Sequence, residues 1–150
     1  MFLSQTVEYA LRAAVCLAGQ PEGQTTPEIA ETTKVPPSYL SKVLQGLGRA
    51  GIVEGKRGVG GGFKLARPAA RISVLDVIAA VEPVQRIERC PLGLAAHADK
   101  LCPLHKKLDD ALAEVERAFA STTLAELVEP DQPLQPLDAL VRKRRGAERA

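Results

Sequence analysis

Apolar residues in the first segment recur at helical spacing: Val7, Ala10, Leu11, Ala14, Val15 and Ala18 fall on one face, and Gly19 supplies a stop signal. That pattern predicts an amphipathic helix. Thr25 or Thr26 then caps a second, short helix, with Pro27 in its first turn, Glu28 placed to complete a capping box, and Ile29 and Ala30 as a small buried face. The run Lys34-Val35-Pro36-Pro37 breaks the chain, and Pro37 opens a third helix reaching about Ala50, with Gly51 just past its end. In it Leu40, Val43, Leu44 and Leu47 follow the i, i+3, i+4, i+7 pattern of a buried stripe. Ser38, Ser41, Lys42, Gln45 and Arg49 are left on the other face. Such hydroxyls, amides and cations can reach base edges and phosphates from a major groove, although a merely solvated face has the same composition.

The period changes next. Residues 52–56 and 63–66 read as two short strands joined by Arg57-Gly58-Val59-Gly60-Gly61-Gly62, which makes a hairpin wing. Four glycines free the backbone for positive φ and for close approach to a phosphate chain, while Lys56, Arg57 and Lys64 bring positive charge. A nucleotide-phosphate loop is the disfavoured alternative, because no Gly-Lys-Ser/Thr ending follows and the downstream element is a strand. Ser73 and Asp76 form a further capping box before Leu75, Ile78 and Ala79, and Pro83 closes that helix. From 104 to 119, Leu104, Leu108, Ala111, Leu112, Val115, Ala118 and Phe119 mark one face of a long helix. It either packs on its own domain or pairs with its copy in a second subunit. Pairing is preferred, because a reader with one recognition helix gains affinity and a palindromic site by dimerising. Thr123 and Glu126 are expected to cap a short final helix through about 128. Pro130, Pro133 and Pro136 then suggest an extended connector, and residues 141–145 a basic tail, either solubilising or touching DNA nonspecifically.

Composition agrees with a mainly α chain. Its 150 residues, 45% hydrophobic and 25% charged, suit one compact domain or a small domain with an appended helix. With no Trp, two Tyr and three Phe, the interior must be built from Ala, Leu, Val and Ile. The net charge of +2 hides a segregation: residues 1–71 hold nine Lys or Arg against five Glu, residues 72–140 six against twelve acids, and residues 141–150 five against one. A basic first half beside an acidic second half suits a DNA-binding part joined to a dimerising or sensing part. The N-terminal segment lacks a basic start and is interrupted by Glu8 and Arg12, so no secretory signal is expected, and no run is long enough to span a bilayer. A cytoplasmic, reducing setting is therefore expected, in which neighbouring thiols point to metal, cluster or redox chemistry.

Cys16 falls among the apolar positions of the first helix and reads as a small buried hydrophobe. The other two cysteines differ. Cys90 and Cys102 are separated by eleven residues, and His105 follows in the spacing Cys-Pro-Leu-His, near the start of the long helix. Two thiolates and an imidazole can ligate iron or zinc. The alternatives are unmetallated residues on a loop, or a switch in which Cys90 and Cys102 oxidise to a disulfide. An enzyme is not expected: no general-base motif or nucleophile elbow accompanies these residues, and little chain is left for a substrate pocket.

Taken in order, Glu8-Tyr9-Ala10, Ser38-Tyr39-Leu40, Arg57-Gly58-Val59-Gly60-Gly61-Gly62-Phe63 and Thr123-Leu124-Ala125-Glu126-Leu127 resemble the bacterial Rrf-two regulators over residues 1 to about 128. The family includes regulators of iron-sulfur biogenesis and cysteine metabolism and a nitric-oxide sensor. The resemblance implies a winged helix-turn-helix with a two-stranded wing and a long C-terminal dimerisation helix. It divides the chain into a DNA-binding domain (1–83), a cysteine-containing sensor loop (84–103), dimerisation and terminal helices (104–128) and a connector and tail (129–150). It implies a homodimer on double-stranded operator DNA, acting as a repressor and not at a membrane. Ser38, Tyr39, Ser41, Lys42 and Arg57 match the family's DNA contacts; Gln45, Lys56 and Gly60 join them from the reading of the helix and wing. Ser41 stands where some relatives carry a base-reading acidic residue, so the operator sequence does not transfer.

Cluster-binding relatives carry three cysteines in the sensor loop, and the middle one aligns with Ala96, beside His97. A 4Fe–4S cluster held by three cysteines is thereby excluded, and a 2Fe–2S cluster, the preferred cofactor, needs a fourth ligand beyond Cys90, Cys102 and His105. The resemblance offers His97, or Glu8 from the partner's first helix. Control of DNA affinity by cluster or redox state is the leading expectation; the alternative is a cofactor-free regulator answering to a protein partner, a small molecule or a thiol switch.

Overall fold

The computed structural model describes residues 3–128; the expected connector and basic tail lie outside them. Its elements are α1 (Gln5–Ala18), α2 (Thr26–Thr33), α3 (Pro37–Arg49), β1 (Val53–Lys56), β2 (Gly62–Leu65), α4 (Val74–Val81) and α5 (Pro103–Ser121), with 3-10 turns at Ala69–Arg71 and Ala95–His97. The helix starts are chemically marked. Ser4 accepts from the Val7 N–H, and the Thr25/Glu28 and Ser73/Asp76 pairs close reciprocal capping boxes that satisfy orphan N–H groups. Between α2 and α3, Lys34 adopts a left-handed φ of 58°, and the buried Thr33 hydroxyl donates to the Ile29 carbonyl while accepting from the Val35 N–H. This tight turn sets α3 against α2.

The core lies among α1, α2, α3 and the wing base, where Ala10, Ala13, Leu17, Ile29, Leu40, Leu44, Leu47 and Ile72 are buried. Gly46 lets α3 approach α4 closely, since a Cβ there would meet Val81 Cγ1 at 3.2 Å. The wing is an antiparallel pair in which Val53 faces Leu65 and Lys56 faces Gly62. It is tied to the helices by Gln24, which exchanges backbone hydrogen bonds with Phe63 at 2.8 and 2.7 Å.

A second, smaller cluster joins Val7, Val74 and Ile78 to Phe119 and Val84, so the distal half of α5 packs on α1 and α4. The proximal half does not. Leu104 and Leu108 are exposed, and no residue of α5 is fully buried within the chain. After α5 the chain returns: Val74 N–H donates to the Thr122 carbonyl and Leu124 N–H to the Ile72 carbonyl, which buries Leu124 completely. The final helix expected through 128 is absent. Thr123 and Glu126 do form the capping hydrogen bonds, but the bonds that follow run from Leu127 to Leu124 and from Val128 to Ala125, closing tight turns rather than α-helical ones. The bridge to Ser73 holds Thr123 in extended pairing at the point where the expected helix would start.

The loop between α4 and α5 is fixed to α5 by one side chain. Arg86 donates twice to the Asp109 carboxylate, both at 2.7 Å, and once to Glu116 at 2.8 Å; the Ile87 N–H adds a bond to Asp109 at 2.9 Å. Seven residues apart, the two acids stand on one helix face. The Arg86 hydrogen bonds, followed by that of Ile87, hold the Asp109 carboxyl down at about 2.

Two outcomes follow from this packing. Leu47→Ala, at a fully buried position, should lower unfolding free energy by about 2–5 kcal/mol in urea titration. Because the folded-state pKa of Asp109 is depressed, its stabilisation is present above its ordinary value of 3.8 and is lost as pH falls towards about 2. The melting-temperature gap between the natural chain and Arg86→Ala should therefore narrow on acidification over that window. A gap independent of pH would show that the clamp acts by packing instead.

Candidate nucleic-acid interface and metal centre

The stripe that buries Leu40, Val43, Leu44 and Leu47 turns the opposite edge of α3 outward, and Ser38, Tyr39, Ser41, Lys42, Gln45 and Arg49 are all exposed. Ser41 returns a hydrogen bond to the Pro37 carbonyl at 3.1 Å. Tyr39 packs edge-to-face on Tyr9, ring centroids 5.8 Å apart, with the Arg12 guanidinium over the Tyr9 ring. The start of α3 is thus braced by α1. Glu8 pairs with Arg12 at 2.9 Å, and Arg12 also donates to the Thr33 carbonyl, which keeps Glu8 at the α1–α2 surface of its own chain.

On the wing, Lys56, Arg57 and Gly60 are exposed. Lys64 spends its charge on Glu54 across the hairpin at 3.1 Å, whereas Lys42, Lys56 and Arg57 form no ion pair with other described residues. These three cations remain available to phosphates. Gly60 has φ of 71° with open space around it, so backbone conformation rather than packing requires glycine. Gly62 is required for room, because a Cβ would lie 2.5 Å from the Gln24 carbonyl that anchors the wing. Between Gly58 and Gly60, Val59 is wholly exposed at the tip.

The cysteine residues fall into two environments. Cys16 is buried in α1 and donates to Gln24 Oε1 at 2.9 Å; burial pushes its thiol up, opposed by the Thr32 side chain, which suits the packing role read from the sequence. Cys90, Cys102 and His105 converge, with donor atoms all within 4.8 Å of one another. Cys102 is the N-cap of α5 and His105 the third helical residue, the spacing at which Ser and Glu side chains meet in a capping box. Here a thiol and an imidazole meet instead: Cys102 Sγ lies 3.1 Å from His105 Nδ1, and Cys90 Sγ 3.7 Å from the same nitrogen. The His105 backbone N–H and then its imidazole lower the Cys102 thiol to about 7, so thiolate is accessible near neutrality. His97, carried by the 3-10 turn, places Nδ1 3.4 Å from Cys90 Sγ. Of the two fourth ligands considered, the fold brings His97 to Cys90 within one chain, while the mutual group is Cys90, Cys102 and His105. The Arg86 clamp was not legible in the sequence, since its partners lie 23 and 30 residues away and share no motif.

Among the described residues no helix is long and apolar enough to cross a membrane. Residues 3–130 match the family model Rrf2, described as an iron-dependent transcriptional regulator. Among solved structures, CymR, the global cysteine regulator of B. subtilis, is 26% identical at a TM-score of 0.71, covering 85% of this chain and 95% of its own. The oxidized form of Staphylococcus aureus CymR is 28% identical at 0.65, covering 86% and 97%. T. potens IscR, 24% identical, covers 93% and 96% at 0.72, a likeness of fold.

Proposed function

This chain belongs to the Rrf2 (Rrf-two) family of DNA-binding transcriptional regulators, and on that premise we propose a cytoplasmic repressor that binds operator DNA as a homodimer under the control of a metal centre. Each α3 enters a major groove, with Ser38, Tyr39, Ser41 and Gln45 at the base edges and Lys42 on phosphate. Each wing reaches a flanking minor groove through Lys56, Arg57 and the Gly60 backbone. The exposed proximal α5, with Leu104 and Leu108 open in the single chain, is the surface that the second subunit covers. The family is not an enzymatic one, and catalysis is not part of this reading.

The observation that carries metal control is the convergence of Cys90, Cys102 and His105 at the N-terminus of α5. A bound metal supplies a cross-link between the loop and the helix. The chain's own residues do the rest: Arg86 and Ile87 bind the same loop to Asp109 and Glu116, and Phe119 binds the helix to Val74 and Ile78 beneath the reading head. A change in ligation therefore has a route of packed contacts to the spacing of the two heads. The likeness to an oxidized regulator structure supports one competitor, in which Cys90 and Cys102 act as a thiol pair.

On an operator located by genome-wide footprinting, Lys42→Ala and Arg57→Ala should each weaken binding and reduce the log–log salt slope by about one, with an unchanged melting temperature. Unaltered affinity in both would refute the docking. Anaerobic protein should change its operator affinity on chelation and recover on metal return. A response to oxidant and thiol reductant, with none to chelator, would assign control to the thiol pair.

A further inference from the structure

The loop from 82 to 102 is long and lacks an apolar interior. Between Ala79 and Thr123 the only buried side chains are Cys90 and Cys102, while Leu92 and Leu94 are exposed. Compact segments of this length ordinarily need a core, a staple or a metal to hold one conformation. Here the buried centre of the loop is the donor group itself.

The spacing of those donors distinguishes what can sit among them. A sulfide-bridged two-iron cluster holds its protein ligands in pairs on opposite sides of the core, so three donors cannot all be mutual neighbours. A single tetrahedral ion, with metal–sulfur bonds of about 2.3 Å and metal–nitrogen bonds of about 2.0–2.1 Å, separates a thiolate from an imidazole by about 3.6 Å. Cys90, Cys102 and His105 form one mutual group within 4.8 Å, with sulfur–nitrogen separations of 3.1 and 3.7 Å, whereas His97 meets Cys90 alone, at 3.4 Å. The residues fit one ion better than a two-iron core. The donor kinds point the same way: Ala96 stands where the family's third thiolate would be, which leaves two thiolates and the His105 imidazole in the group.

We infer that Cys90, Cys102 and His105 form a three-ligand site of two thiolates and one imidazole for a single divalent transition-metal ion, zinc or ferrous iron, with the fourth tetrahedral position left to an exogenous ligand. This rests on the reading that the group binds metal, and it changes what that metal is. Both histidines approach the thiols through Nδ1, which leaves each Nε2 outside the group. His105 is fixed by the first turn of α5 and Cys102 by its cap position, so two ligands are set by the helix and one, Cys90, is brought by the loop.

The full-length chain, purified anaerobically and then reconstituted separately with zinc, with ferrous iron alone, and with ferrous iron plus sulfide, provides the test. One metal ion per chain and no acid-labile sulfide in any arm is expected, and the zinc and ferrous arms identify the ion by relative affinity. Cobalt substitution should give the intense visible absorption of a tetrahedral thiolate site. His105→Ala should weaken zinc binding by at least about tenfold, since even outer-shell partners of metal ligands are worth 10–100-fold, and His105→Cys should restore it. Helical circular dichroism confirms that each variant is folded. Two irons with matching sulfide per chain would overturn the single-ion site while leaving metal control intact. Unchanged zinc affinity in His105→Ala would overturn the three-ligand set. A chain that takes up no metal in any arm would sink both this inference and the proposed metal control.

Discussion

The molecule depends on the fact that an α-helix with one edge buried must expose the opposite edge at a fixed angle. In α3 the buried edge is Leu40, Val43, Leu44 and Leu47, locked against α1 and drawn close to α4 by the missing side chain at Gly46. Every polar residue assigned to DNA is thereby aimed before any DNA arrives. Tyr9 supports the beginning of this edge through Tyr39, and Gln24 ties the wing to the same body, so helix and wing are presented as one rigid surface. Rigid presentation matters because reading base edges needs side chains already in position, and ordering them on contact would cost binding free energy.

Beyond Pro83 the organising force changes from apolar burial to directional bonds. Arg86 holds the loop to α5 through two carboxylates, and the Cys/His group holds it again one helical turn from the start of α5. At its other end α5 is fastened by Phe119 in the small cluster and by the backbone bridge that buries Leu124. The helix is therefore held at both ends by the chain that carries the reading head, with an unburied stretch between.

Most of the fold was legible because its signals are local. Capping boxes at Thr25 and Ser73, prolines at first turns, leucine periodicity in α3 and the glycine run of the wing all act within a few residues, and each appears where the pattern placed it. The terminal helix failed for a complementary reason. Its capping residues are real, but an extended pairing with residues 72–74, fifty positions away, decides the backbone there, and no local spacing encodes such a partner. The same holds for Arg86. At the candidate centre the sequence supplied the donor types and the Cys-Pro-Leu-His spacing, whereas the approach of His97 to Cys90 depends on how the loop turns.

The two cysteines of the loop share no packed side chain with the leucine core; that separation has a consequence over evolutionary time. Exchange of a thiol for an imidazole or a carboxylate alters what the loop can hold without opening a cavity beneath the helix that reads DNA. Selection can therefore alter the chemistry of this loop by a few substitutions while the reader keeps its stability.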